Sequence, residues 1–182
     1  HTTTDTIEVD PNVEVEAHAF RGRVEVSTWN RSAVRLHAEI AASDSGSEAA
    51  PAVQVVQEAD TTLSIRPNGK TVDSPGFFTV LNIMTWGRNG PAGPKTAYSV
   101  RVPANASVTL NLDAADAVVS GVKGEVRFRS VSSVIEVRDV RGPVFGGTLS
   151  GTLHAEGIRD ELRVGTFSGE IGRASCRERV YC

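Results

Sequence analysis

The sequence predicts an all-β protein, and three observations support this fold class. The chain is rich in Val, Thr, Ser and Gly, whereas aromatic residues make up only 5% of it, a composition that favours strands joined by tight turns. Apolar and polar residues alternate in short runs through residues 1–66, as in strands with one buried face. Apolar and turn residues then recur at a fixed interval in the second half. We therefore expect an antiparallel β meander that runs into a short β-solenoid, a β-helix-like stack of coils.

The antiparallel β region is predicted to span residues 1–112. Its alternating runs are separated by clusters of Asp, Asn, Pro, Ser and Gly, which are typical of turns and hairpins. A Gly/Pro-rich insertion at 67–96 surrounds an apolar run from Phe77 to Trp86. This run is either a further strand of the sheet or an exposed loop that contacts a membrane or a partner.

The β-solenoid is predicted for residues 113–170, where the sequence matches itself at a shift of 18 residues. Each unit contains two alternating stretches separated by a predicted Ser-Gly turn, so one unit should form one coil that buries its apolar side chains against the next. The first unit has Ser132-Ser133 in place of Ser-Gly. The matched positions are Val122 with Val140 and Ile158, Val126 with Val144 and Leu162, Ile135 with Leu153 and Ile171, and Ser132 with Ser150 and Ser168.

Residues 171–182 are predicted to be a non-native tail. The segment 171–180 matches, residue for residue, a translation of a common short-read sequencing adapter, and it contains or adjoins both cysteines, Cys176 and Cys182. Arg173 would also fall at the core position held by Val137 and Ala155 in the preceding units. We therefore expect the natural protein to continue differently after residue 170. The two cysteines then do not indicate whether the protein belongs to an oxidising or a reducing compartment.

Charge and hydropathy exclude two classes of function. The 19 Lys and Arg residues are scattered among 22 Asp and Glu residues, giving a net charge of -3 and no basic patch, so nucleic-acid binding is not expected. The most apolar segment, 77–86, is half as long as the ~20 residues that a transmembrane helix needs, and three polar residues interrupt it. No transmembrane segment is expected in this chain.

The sequence contains no motif that predicts catalysis, metal binding or a cofactor, so we expect neither an enzyme nor a cofactor. The histidines, at positions 1, 18, 37 and 154, have no metal-ligand spacing, and phosphate-binding loops and Ser nucleophile motifs are absent from the sequence. Because some β-helices are polysaccharide lyases or hydrolases, a carboxylate pair remains an alternative. Its candidates are Glu136, Asp139, Glu156 and Asp160, which we otherwise interpret as a solvated acidic face.

Four aromatic residues are candidates for a ligand-binding surface: Trp29, Trp86, Phe77 and Phe78. Aromatic rings with exposed faces can stack on sugars. Trp29 ends an alternating run just before Asn30, so packing at the rim of the sheet is the alternative interpretation of this residue.

Four segments, residues 20–40, 98–112, 121–144 and 147–171, resemble in their order the bacterial putative-adhesin family. The most specific elements are the strand that enters Val102-Pro103 and the repeated Ser-Gly pairs. The resemblance covers about residues 7–170 and implies an envelope-associated, extracytoplasmic domain of unknown function, either secreted, periplasmic or on the cell surface. The family offers no catalytic residues to transfer.

The sequence and the resemblance together predict a non-catalytic binding or structural module, an adhesin or envelope scaffold that acts through an extended β surface. Its ligand would be an unidentified envelope or surface molecule, either protein or polysaccharide. The alternatives are a β-helical carbohydrate-active enzyme and a scaffold that self-associates through the exposed strand edge at the end of its solenoid.

Overall fold

The structure is a computed structural model that describes residues 2–40, 53–58, 61–67, 95–174 and 180–181. These ranges contain eleven strands and no helix, which confirms the prediction of an all-β protein. In chain order the strands are β1 (Thr2–Glu8), β2 (Glu14–Trp29), β3 (Ala33–Ile40), β4 (Val53–Glu58), β5 (Thr62–Pro67), β6 (Lys95–Pro103), β7 (Ser107–Ser120), β8 (Val126–Arg138), β9 (Val144–Glu156), β10 (Leu162–Ala174) and β11 (Val180–Tyr181).

The strands form one mixed sheet in the order β1-β3-β6-β2-β7-β8-β9-β10-β11, with β5 attached to β2 and β4 attached to β5. Antiparallel pairing joins β1 to β3, β3 to β6, and β4 to β5, but only β4 and β5 are consecutive strands, as in the predicted meander. The meander is wrong for β2, which runs parallel to β5, β6 and β7. Alternation predicts that a segment is a strand, but the direction of pairing depends on a partner far along the chain.

Strand β2 is central because it has neighbours on both sides. On one side its first part pairs with β5 and its second part with β6, while β7 runs along the other side. Burial switches from odd-numbered to even-numbered residues between these parts, so Val15 and Val24 are both buried. Gly22 lies where the burial pattern changes and has a φ of 114°, a backbone conformation that residues with a Cβ rarely adopt.

Strands β7 to β10 pair in parallel with a constant register of 18 residues. Val108 lies opposite Val126, which lies opposite Val144, which lies opposite Leu162, and all four side chains are at most 1% exposed. The register therefore begins at β7, before the boundary at residue 113 that the sequence predicts. β7 itself crosses that boundary, and one apolar core contains buried residues from both sides of it.

The Ser-Gly pairs lie inside long strands, so their prediction as turns is wrong. Ser150-Gly151 lies within β9 and Ser168-Gly169 within β10, and pairing continues through both. In β8 the equivalent position marks a change in burial, from even-numbered to odd-numbered residues. Glycine is needed at position 151 because a Cβ there would lie 2.2 Å from the carbonyl oxygen of Ser133 on the preceding strand.

The turns between the long strands use a residue with positive φ at the same 18-residue interval: Gly121 at 77°, Asp139 at 52° and Gly157 at 67°. The next residues, Val122, Val140 and Ile158, are buried beneath the turns, as expected for core positions.

The predicted insertion and the tail are only partly described. Of the insertion, residues 68–94 lie outside the described residues, and its remaining residues belong to the ends of β5 and β6. In the tail, 171–174 complete β10, where Arg173 pairs with Ala155, and Val180 in β11 pairs with Leu162. The described residues include no helix long and apolar enough to cross a membrane.

Candidate functional site

An open groove of about 870 Å³ lies where β2, β7, β8 and β9 adjoin. Four neighbouring strands contribute to it. Its lining consists of Glu14, Glu16, Ser107, Thr109, Leu110, Asn111, Glu125, Arg127, Phe128, Arg129, Phe145, Gly146 and Gly147.

Two rows of residues cross the strands in this groove because their neighbours along each strand are buried. Val108 and Leu110 point into the core, so the residues that alternate with them face outward. The first row runs Glu16, Thr109, Arg127 and Phe145, and the second runs His18, Asn111, Arg129 and Gly147. Hydrogen bonding holds adjacent members of a row about 4.8 Å apart.

Glu16 organises the β2 side of the groove. Its Oε1 accepts hydrogen bonds from Nδ2 of Asn111 at 2.9 Å and from Nε2 of His18 at 2.9 Å. Arg66 on β5 lies 3.7 Å from its second oxygen. Beside it, Glu14 accepts a hydrogen bond from Oγ1 of Thr109 at 3.3 Å. These contacts hold an acceptor-rich wall in one conformation.

Arg127 and Phe145 form the opposite wall. Arg127 donates to Glu125, and that hydrogen bond, followed by the charge of Glu125, raises the pKa of Arg127. The guanidinium carbon lies 5.6 Å from the centroid of the Phe145 ring, within the range of a cation–π contact. Both side chains are therefore held by their neighbours.

Arg129 differs from two other exposed arginines of the parallel strands. Arg127 and Arg163 each donate to the glutamate two residues before them, Glu125 and Glu161. The residue two before Arg129 is Arg127, and within the described ranges Arg129 has no hydrogen bond or ion pair. The groove thus contains an exposed guanidinium whose donors are available to a ligand.

Two adjacent glycines line the groove, and packing requires only the first of them to be glycine. Gly146 faces the core, where a Cβ would lie 2.6 Å from the ring of Phe128, so packing requires glycine there. Gly147 faces outward without a positive φ, and the nearest atom to a Cβ would be the carbonyl oxygen of Gly165 at 3.4 Å, an ordinary contact. Gly147 is therefore not required by the backbone or by packing.

Trp29, the one aromatic candidate within the described residues, is not part of the groove lining. Trp29 ends β2, donates from Nε1 to the carbonyl oxygen of Ala33 at 2.7 Å, and lies 5.5 Å from the guanidinium carbon of Arg31. Trp86, Phe77 and Phe78 lie outside the described residues. A ligand surface that includes these four aromatic residues stays a prediction.

The four candidate carboxylates also lie outside the groove lining. Glu136 accepts a hydrogen bond from Arg138. Asp139 occupies the turn position that is glycine before and after it in the register, so local backbone conformation accounts for a residue that tolerates positive φ. Glu156 and Asp160 are exposed.

The three histidines within the described residues are not brought together. His37 lies beside Oγ1 of Thr4 at 2.8 Å, His154 is exposed on β9, and His18 belongs to the Glu16 cluster. Within the described parts of the chain, no group of three or more His, Cys, Asp or Glu residues could hold a metal ion.

The groove residues were missed at the level of sequence because β2 and β7 are far apart along the chain. Glu16 and Asn111 become neighbours only through the parallel pairing of these strands. One local signal was present: Gly146-Gly147 interrupts an alternating strand, and an interior strand glycine can mark the close approach of a ligand or another backbone.

Comparisons with known proteins identify a fold neighbour. No protein-family model matches the chain, and no curated protein matches it. A crystal structure described as a putative cell adhesion protein from Clostridium sporogenes matches with a TM-score of 0.58 and 10% sequence identity, covering 95% of this chain and 99% of that one. At this identity the likeness concerns the fold alone.

Proposed function

We propose that this domain is a non-catalytic, extracytoplasmic binding module of the adhesin type, which recognises a surface ligand through the groove on its extended sheet. The observation that carries the proposal is the groove itself, where two rows of outward side chains are held by the Glu16 and Arg127 contacts. Prearranged polar groups reduce the entropy lost on binding. The fold neighbour, described as a putative cell adhesion protein, supports the adhesin role and the surface location.

The scaffold for this role is proposed to be a β-solenoid with one 18-residue repeat per coil. The constant register from β7 to β10 supports it, as do the buried apolar residues that stack across these strands. In such a stack the coils have nearly the same backbone structure, so a binding surface can extend over several coils.

The test is direct binding to immobilised domain. A panel of purified envelope proteins and surface polysaccharides should contain at least one ligand, and Arg129→Gln should weaken its binding at least tenfold. Arg35→Gln is the matched control, because Arg35 is also an exposed strand arginine without a partner among the described residues. Equal effects of the two variants would contradict the groove as the binding site.

The same panel tests the enzyme alternative. A binding module releases no reducing ends or unsaturated products from any polysaccharide. Turnover that is abolished by Glu136→Gln or Asp139→Asn would contradict the proposal and favour the carboxylate pair.

Self-association is a second candidate because large apolar side chains are exposed on adjacent strands. Leu149 on β9 is 44% exposed and Phe167 on β10 is 88% exposed. If they contact a second copy, sedimentation velocity will show concentration-dependent oligomers that Phe167→Ser dissociates. A monomer at all accessible concentrations would exclude this candidate.

A further inference from the structure

We propose that the ligand of the groove is a neutral oligosaccharide, which lies across strands β7 to β9 with one sugar ring over Gly147. This inference rests on the proposed binding function and specifies the ligand of the same groove. Three independent features of the groove support it: the mixture of donors and acceptors, the balance of charge, and the unexplained glycine.

The first feature is the mixture of hydrogen-bonding groups. Glu16 presents carboxylate acceptors, Arg129 presents guanidinium donors, and the amide of Asn111 lies between them in the rows. A sugar hydroxyl both donates and accepts, so neighbouring hydroxyls are satisfied by this alternation of groups. The ring of Phe145 adds an apolar surface for the C–H face of a sugar.

The second feature is the charge balance, which favours a neutral ligand over an acidic one. Three carboxylates, on Glu14, Glu16 and Glu125, line the groove together with two guanidinium groups, on Arg127 and Arg129. Arg127 is already paired with Glu125. Arg66 lies 3.7 Å from Glu16, so three guanidinium groups balance the three carboxylates and the site has no net charge to attract an acidic or a basic saccharide.

The third feature is Gly147, which leaves a space that the fold does not require. An interior strand glycine weakens a strand by about 0.5–1 kcal/mol relative to alanine. Neither backbone conformation nor packing calls for glycine at this position, and because Gly147 lines the groove its bare backbone is open to a ligand.

The geometry favours a saccharide over an extended peptide. The groove lies on the face of the sheet, and its strands are paired on both sides, so they offer no free edge to which a peptide strand could add. The row members repeat about every 4.8 Å across the strands. That spacing is close to the advance of one hexose unit in an extended chain, so successive rings would meet successive strands.

The test is calorimetric titration of the whole domain with cellohexaose, mannohexaose and chitohexaose, and with hexagalacturonate as the acidic comparison. At least one neutral probe should bind. Gly147→Thr should weaken that binding at least tenfold without lowering the melting temperature, since threonine is favourable in a strand. Arg129→Gln should also weaken it at least tenfold, which provides a second measurement if the threonine variant folds poorly.

Gly165→Thr is the matched control. Gly165 follows Gly147 in the same outward row, has open space around its Cβ position, and is not part of the groove lining. This variant should bind within twofold of the original domain. Equal losses for Gly165→Thr and Gly147→Thr would overturn the proposal.

The other outcomes separate this inference from the function on which it rests. Binding of hexagalacturonate alone, or of an envelope protein but no saccharide, would overturn the neutral-saccharide proposal and leave the binding function standing. If neither the saccharides nor the protein and polysaccharide panel bind, both proposals fail.

Discussion

The sheet contains two regions that are built on different rules. From β7 to β10 each strand pairs in parallel with the strand 18 residues further along, so each position meets its own counterpart. From β1 to β6 the pairing is mixed in direction, and β2 pairs with three strands from distant parts of the chain. Only the first arrangement leaves a periodic trace in the sequence.

The difference matters for the groove, which lies where the two regions meet. β2 supplies the carboxylates of Glu14 and Glu16, and the regular strands supply the arginines, the aromatic ring and Gly147. The groove therefore combines side chains from both regions. Four predictions test the regular strands and the turns between them.

The largest effect is expected for Val144→Asp. Val144 is fully buried between Val126 and Leu162, so the new carboxylate would be desolvated without a partner, which costs on the order of 3–5 kcal/mol. Urea unfolding should show a large loss of stability or no folded protein. Leu149→Asp on the same strand is the control, because Leu149 is 44% exposed and should change stability by less than about 0.5 kcal/mol. A harmless Val144→Asp would refute the register.

Gly142→Ala should have the next largest effect. A Cβ there would lie 2.2 Å from the carbonyl oxygen of Gly124, and the backbone of the preceding turn would have to move, at a cost of about 1–3 kcal/mol. Gly165→Ala is the opposite case, since nothing lies within 4 Å of its Cβ position, and it should stabilise the strand by about 0.5–1 kcal/mol. Thermal melts that rank the two variants in the reverse order would contradict the stacking of the turns.

Asp113, which lies where the burial pattern of β7 changes phase, should make stability depend on pH. Burial raises the pKa of Asp113 from 3.8 to about 6, so folding favours its protonated form. Its favourable contribution is fully present below pH 3.8 and is lost as the pH rises through 6. Asp113→Asn should therefore match the original domain at pH 3.5 and be more stable at pH 8, by about 1–2 kcal/mol after allowance for solvent screening. Equal differences at both pH values would contradict this origin.

The smallest effect is expected at the turn after β8. Asp139 has a φ of 52° where the equivalent residues, Gly121 and Gly157, are glycine. Asp139→Gly should relieve backbone strain and stabilise the domain by about 0.5–1 kcal/mol, whereas Gly157→Ala should destabilise it by about 1 kcal/mol. Opposite shifts in melting temperature would support equivalent turns, and a loss of stability in Asp139→Gly would indicate that the carboxylate has a structural partner.

Local alternation and the 18-residue interval were sufficient to predict strands and buried positions among the described residues. Val122, Val140 and Ile158 are buried, as the self-matching sequence indicated. The same evidence misplaced the Ser-Gly pairs, because a phase change in burial inside a continuous strand looks like a turn when only the sequence is considered. Apolar and polar residues alternate on both sides of the Ser-Gly pair whether the chain turns there or the strand continues.

Strand direction and the composition of the groove were decided by tertiary structure. Side-chain alternation has a period of two in parallel and antiparallel strands alike, so it could not show that β2 runs parallel to β7. Without that pairing, Glu16 and Asn111 are unrelated polar residues, and Arg129 is one more exposed cation. The pairing of β2 with β7 brings these polar residues into one groove. The free energy that stabilises this pairing comes from burial of Val15 and Val108 on the opposite face of the same two strands.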